Sequence, residues 1–194
     1  MNMEQQNWID SNEKEDLQCL RRIQESWNIG GHKPNQGEVE QASRLAFKGH
    51  LTEVDYMNLD SSKLESIPRF DLMAELTQCV KEEIEIEGDS KIGPDNLSAI
   101  LKNARCRYLG IENVSWNASL TRLLVQSLDS VEELSLWNGA EVDLETLNSY
   151  SGTGSCRRIN FDNDSFYGPK LKKLAHDIGW EYGYDWTWFI SARS

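Results

Sequence analysis

Five short segments of this chain share one pattern and recur at nearly constant spacing. They are Val54-Asp-Tyr-Met57-Asn-Leu59, Lys81-Glu-Glu-Ile84-Glu-Ile86, Cys106-Arg-Tyr-Leu109-Gly-Ile111, Val131-Glu-Glu-Leu134-Ser-Leu136 and Cys156-Arg-Arg-Ile159-Asn-Phe161. Each ends in two apolar residues separated by one other residue, and four of the five carry a small apolar residue or Cys three places earlier. The central positions Met57, Ile84, Leu109, Leu134 and Ile159 follow one another at intervals of 27, 25, 25 and 25 along the chain. Alternation over so short a run predicts a β-strand.

A polar stretch follows each strand, and then apolar residues return at spacings of three and four. The groups are Leu72/Met73/Leu76, Leu97/Ile100/Leu101, Leu120/Leu123/Leu124, Leu144/Leu147 and Leu171/Leu174/Ile178. That spacing places each group on one face of a helix. Pro68, Pro94-Asp95, Asn117-Ala-Ser119, Asp143 and Pro169 mark the helix starts, as first-turn or capping residues. A strand and a helix every ~25 residues cannot bury their apolar sides alone, whereas stacked neighbours can. The expected fold is therefore α/β: a solenoid of five to six strand–helix repeats, with a parallel sheet on the concave face and helices on the convex face.

In period and core pattern the repeat segment 51–194 resembles, over roughly residues 51–190, leucine-rich repeats of the ribonuclease-inhibitor type, most of all the helix-backed repeats of NLR-like innate-immune receptors. The resemblance rests on Val54/Met57/Leu59, Ile84/Ile86, Leu109/Ile111, Val131/Leu134/Leu136 and Ile159/Phe161. It implies a protein-interaction module, with innate-immune sensing or autoregulation as the biology. One position departs: where the family has Asn or Cys, three places beyond the last apolar residue, this chain has Ser62, Asp89, Val114, Gly139 and Asp164.

Residues 1–50 lack the period. Asp16 to Trp27 and Glu38 to Gly49 read as two amphipathic helices joined by a Gly- and Pro-containing loop. They are expected to form a helical cap over the first repeat, or else a hinge from a larger signalling protein. At the other end, Trp180, Tyr182, Tyr184, Trp186, Trp188 and Phe189 alternate with other residues and predict a final strand. Tyr184 lies one further repeat interval beyond Ile159, where a sixth strand would have its centre. Those rings either plug the last repeat or form a partner patch.

Composition narrows the function classes. The 194 residues carry 20 Lys and Arg against 32 Asp and Glu, a net charge of −12. Nucleic-acid binding draws on neutralising phosphates, and an anionic membrane surface makes the same demand, so both are disfavoured. A basic or polar protein partner is the natural counterpart. Residues 1–16 are polar with no signal-like core, and no apolar run nears the ~18 residues of a membrane span. A cytoplasmic, self-contained product is expected. Cys19, Cys79, Cys106 and Cys156 form no CxxC pair and read as reduced thiols. Without a signal segment, the Asn-x-Ser matches at Asn96, Asn113, Asn117 and Asn163 read as chance.

If each apolar pair faces the helices, the alternate residues line the open side of the sheet. Its three columns are Tyr56, Glu83, Tyr108, Glu133, Arg158; then Asn58, Glu85, Gly110, Ser135, Asn160; then Asp60, Glu87, Glu112, Trp137, Asp162. Strands lie ~4.8 Å apart, so Glu83, Glu85 and Glu87 with Asp60 and Glu112 concentrate negative charge. That crowding suits a solvated face or a docked basic partner, and the aromatics among the charges favour the partner. The expected contacts are Tyr56, Asp60, Glu83, Glu85, Glu87, Tyr108, Glu112, Trp137 and Arg158.

Catalysis has little to work with. His32, His50 and His176 sit in no motif, Cys106 and Cys156 have no nearby His, and Gly152-Thr-Gly154-Ser155 lacks the Lys-Ser/Thr end of a phosphate loop. The acidic column could hold Ca²⁺ or serve a glycosidase, but no calcium loop or sugar cleft accompanies it. The expectation is a non-enzymatic module without cofactor or metal. Self-association through the terminal Trp/Tyr patch is the alternative.

Overall fold

The computed structural model describes Gln18 and residues 35–39, 54–88, 92–137, 142–150, 154–162 and 167–193. The chain is α/β, with one seven-stranded, mostly parallel sheet and helices between the strands. The strands are β1 (Val54–Asp60), β2 (Val80–Glu87), β3 (Tyr108–Glu112), β4 (Glu133–Trp137), β5 (Arg158–Phe161), β6 (Glu181–Asp185) and β7 (Thr187–Ser191). The helices are α1 (Ser61–Leu64), α2 (Phe70–Glu75), α3 (Pro94–Asn103), α4 (Ala118–Ser127), α5 (Leu144–Leu147) and α6 (Tyr167–Ile178). A 3₁₀ turn, Leu76–Cys79, continues α2.

The first five strands lie side by side in chain order and all run parallel. Their register is the sequence period made physical. Met57 pairs Ile84, Ile84 pairs Leu109, Leu109 pairs Leu134, and Leu134 pairs Ile159. The longer first interval goes with a register shift between β1 and β2: one residue separates Val54 from Tyr56, whereas two separate their partners Val80 and Glu83. The strands β3, β4 and β5 start two residues later than the sequence pattern suggests. Cys106, Val131 and Cys156 precede them as fully packed core residues.

One apolar core runs the length of the sheet. Ile84, Ile86, Leu109 and Leu134 from the strands meet Leu97, Ile100, Leu101 and Leu124 from the helices, all 0–1% exposed. The helices follow the same order as the strands, α2 against α3, α3 against α4, and α4 against α5. Their starts are set locally. Pro94 opens α3, where its missing N–H costs nothing. The Asn117 carboxamide oxygen accepts from the N–H groups of Ser119 (3.0 Å) and Leu120 (2.9 Å) to cap α4. Asp143 accepts from Glu145 (3.1 Å) and Thr146 (3.2 Å) at α5.

The C-terminal aromatics do not form one more repeat strand. They form a hairpin: β6 runs in the direction expected of a sixth strand, the chain reverses at Trp186, and β7 returns antiparallel between β5 and β6. Ile159 therefore faces Ile190, and Tyr182 rather than Tyr184 falls in that row. Side-chain chemistry favours this order. The place beside β5 needs apolar residues on the helix side, which β7 supplies with Trp188 and a fully buried Ile190. Tyr182 and Tyr184 keep their hydroxyls near water at the edge. Of the terminal rings Trp180 is buried in the core, meeting Tyr150 edge-on at 5.7 Å, and Trp188 packs half-buried against it.

The expected N-terminal cap falls almost wholly outside the described residues. What is described is Gln18, helical and within the expected first helix, and the start of the second helix. Gln36–Val39 is helical, beginning two residues before Glu38. Asn35 caps it reciprocally, accepting from Glu38 N–H (3.1 Å) while the Glu38 carboxylate accepts from Asn35 N–H (3.0 Å).

Candidate functional site

The polar side of the sheet is the surface on which the sequence concentrates chemistry, and the strand register assembles it as three rows. Tyr56, Glu83, Tyr108, Glu133 and Arg158 pair successively across β1 to β5. Asn58, Glu85, Gly110, Ser135 and Asn160 pair the same way. In the third row Asp60 pairs Glu87, and Glu112 pairs Trp137.

The rows divide into two zones. Over β1–β3 the surface is acidic and open. Glu87 is exposed, Glu83, Glu85 and Glu112 are half-buried, and Tyr56 is 69% exposed. Asn58 donates its carboxamide N–H to Glu87 at 2.5 Å, bridging β1 and β2. Asp60 has a structural task instead: its carboxylate accepts from Ser62 N–H (3.0 Å) and Ser62 hydroxyl (2.6 Å), capping α1.

Over β3–β5 the polar groups tie to one another. Arg158 donates from Nε to the Asn160 carboxamide oxygen (2.7 Å), and the Asn160 N–H group donates to Glu133 (2.8 Å) and to the Ser135 hydroxyl (3.0 Å). Arg158 also approaches Glu133 at 3.8 Å and lies 4.0 Å above the Phe189 ring. Ser135 and Trp137 in turn hydrogen-bond to Tyr108. The expected contacts Tyr108, Trp137 and Arg158 are thus joined through Ser135 and Asn160, which are 1% and 6% exposed. Burial is the reason this network is satisfied internally, since a buried polar group without a partner is costly. The sequence placed Ser135 and Asn160 in the middle row, but no local pattern signals their linkage.

Gly110 explains how Tyr108 crosses that row. A methyl group at Gly110 would sit 3.2 Å from the Tyr108 ring, 3.3 Å from its hydroxyl and 3.5 Å from Glu85 Cγ. Glycine leaves the space in which the ring lies flat over its own strand towards Ser135 and Trp137. Burial pushes the Tyr108 hydroxyl pKa above the usual tyrosine range, partly offset by those two hydrogen bonds.

Glu85 sits at the middle of the acidic zone. Its carboxyl titrates above the usual glutamate value, first because burial removes it from water, and then because Glu83, Glu87 and Glu112 repel its charge. The folded chain therefore holds this proton more tightly than the unfolded chain. That contribution favours folding while the carboxyl is protonated and is lost as pH rises from about 4.5 through the folded pKa. Glu85→Gln should accordingly be more stable than the parent at pH 7, on the ~0.5 kcal/mol scale of a surface change, and equal to it near pH 4. Urea unfolding of both proteins at the two pH values checks this; a larger difference at pH 4 than at pH 7 would contradict it.

A second charge pattern lies at the strand starts. Arg107 bridges Glu82 (3.6 Å) and Glu132 (3.9 Å), one neighbour on each side. These exposed pairs contribute little to stability. The candidate nucleophiles are buried: desolvation pushes the Cys106 and Cys156 thiols up to about 12, so both are protonated at neutral pH. Cys79, Cys106 and Cys156 are free thiols. His176 lies on the exposed side of α6, 3.4 Å from Asp177. Among the described residues no group of three or more His, Cys, Asp or Glu converges as a metal site, and no helix is long and apolar enough to cross a membrane. An open cavity of about 430 Å³ lies on the helix side, between α5 and α6.

Comparison of the chain with protein-family models, with curated proteins and with solved structures finds no match in any of the three.

Proposed function

We propose that the chain is a non-enzymatic protein-interaction module that holds a basic protein partner on the acidic zone of its sheet. The observation that carries this reading is the register-locked placement of Glu83, Glu85, Glu87 and Glu112 together, beside Tyr56, Tyr108 and Trp137. Gathering carboxylates so closely that Glu85 resists ionisation costs folding stability. A cationic partner would turn that cost into binding energy, and aromatic rings bordering the charges suit an interface centre. Buried thiols and an exposed His176 fit a binding role better than a catalytic one.

The sequential strand–helix units, evenly spaced over most of the array, support reading the fold as a solenoid of leucine-rich type with this sheet as its concave face. The resemblance to NLR-like repeats then points to a cytoplasmic role in innate-immune signalling. Arg158, Trp137 and Tyr108 serve this surface as a rigid border, because their polar groups are tied into one network through Asn160 and Ser135.

Charge reversal tests the proposal. Glu85→Lys with Glu87→Lys should weaken capture of the partner from cell extract by tenfold or more, with the circular dichroism spectrum unchanged. Wild-type capture should also weaken as salt rises. Equal recovery by wild type and double variant would overturn the acidic zone as the docking surface.

A further inference from the structure

Three of the four large hydrophobic residues exposed among the described residues belong to the β6–β7 hairpin: Tyr182 at 41%, Tyr184 at 52% and Trp186 at 85%. Trp186 holds this exposure at φ 63°, a left-handed conformation that a bulky residue seldom adopts. The hairpin also ends the sheet. The strand β6 is outermost, and among the described residues no strand pairs with its far side.

The two sides of that edge differ. On the polar side Glu181 and Asp185 are exposed and flank Gly183, over which the Phe189 ring lies with Arg158 against it. On the helix side Tyr182 sits below the Lys172 amine, 5.7 Å from ring centre, and Tyr184 packs on Trp188 at 5.0 Å. Acidic residues alone would protect an edge from unwanted pairing. They do not account for rings held in water beside it.

We infer that the outer edge of β6 receives an extended segment of another protein as an eighth strand, with basic residues alternating with apolar ones. Main-chain hydrogen bonds to the open edge supply the pairing, and alternate side chains supply selection. Basic residues of the incoming strand meet Glu181 and Asp185, while its apolar residues cover Tyr182 and Tyr184. A second copy of the chain suits the edge less well. In an antiparallel pair centred on Gly183, Glu181 of each copy would face Asp185 of the other, and two chains of net charge −12 would approach.

The probe is a capped peptide, Lys-Val-Thr-Val-Lys with Gly-Ser flanks, against a control with both Lys replaced by Glu. Exchange of the amides of 181–185 that point away from β7 should slow at least tenfold with the Lys peptide and not with the Glu peptide. Glu181→Lys with Asp185→Lys should weaken binding at least tenfold, whereas Glu85→Lys with Glu87→Lys should leave it unchanged. The reverse ranking would place the peptide on the sheet face and overturn the inference. So would failure to bind, prior protection in the free protein of the 181–185 amides that point away from β7, or a concentration-dependent dimer that excludes the peptide.

Discussion

Leu134→Ala should cost about 3 kcal/mol of folding stability. Leu134 is the first of the two core-facing leucines of β4, fully buried and paired with Leu109 on one side and Ile159 on the other. Removing its isobutyl group loses transfer free energy and leaves a cavity that the neighbouring strands, locked in register, cannot close. That loss is a large share of the roughly 5–15 kcal/mol that holds an ordinary domain together. Glu132→Ala, two residues earlier and exposed, should stay within about 0.5 kcal/mol. Urea titration of the two variants beside the parent reads both effects; near-equal midpoints would mean that β4 is not at the centre of one cooperative core.

The second large effect is expected at a turn. Gly88 follows β2 at φ 136°, a conformation that residues with a side chain rarely adopt. A methyl group there would also lie 2.8 Å from the Ser61 hydroxyl. Gly88→Ala should therefore cost about 2 kcal/mol. The neighbourhood cannot shift freely, because Asn113, itself at φ 54°, donates its side-chain N–H to the Gly88 carbonyl one strand away. Gly110→Ala is the useful contrast. Its closest contacts are at 3.2–3.5 Å to side-chain atoms of Tyr108 and Glu85, and no unusual φ is involved. Thermal melts should rank Gly88→Ala well below Gly110→Ala; the opposite order would show that the Tyr108 packing matters more than the turn.

Those two turn residues show where sequence reading reached and where it stopped. The constant period from Ile84 to Ile159 determined both which strands pair and which face each residue takes, because a shift of one residue would turn every apolar side chain to water. The helix starts at Pro94, Asn117 and Asp143 were legible for an equally local reason: a cap acts within its own first turn. Asn113 was not. In the sequence it reads only as a chance sequon, and its bond to Gly88 spans a whole repeat, in a turn that matches no family pattern.

The same limit held in the candidate site. The rows of Glu83, Glu85 and Glu87 followed from alternation alone. That Asp60 is spent on capping α1 depends on where α1 begins, and that Arg158 turns towards Asn160 and Phe189 depends on β7 lying beside β5. The order of the last two strands was hidden because both alternate aromatics in the same way. What separates them is the fit of Ile190 and Trp188 under the sheet against the hydroxyl groups of Tyr182 and Tyr184.

The reversed strand β7 also has a consequence for how such a chain could change length. Between β2 and β5 every pairing repeats at the same interval without a break. Duplicating or deleting one such segment there would reconnect equivalent strand to equivalent strand and leave each remaining interface as it was. Beyond β5 that freedom ends, since an antiparallel neighbour offers a different hydrogen-bond ladder from the one a parallel newcomer requires. Variation in size among chains built this way should therefore arise from within, as whole units inserted or lost upstream, with the terminal hairpin carried along unchanged.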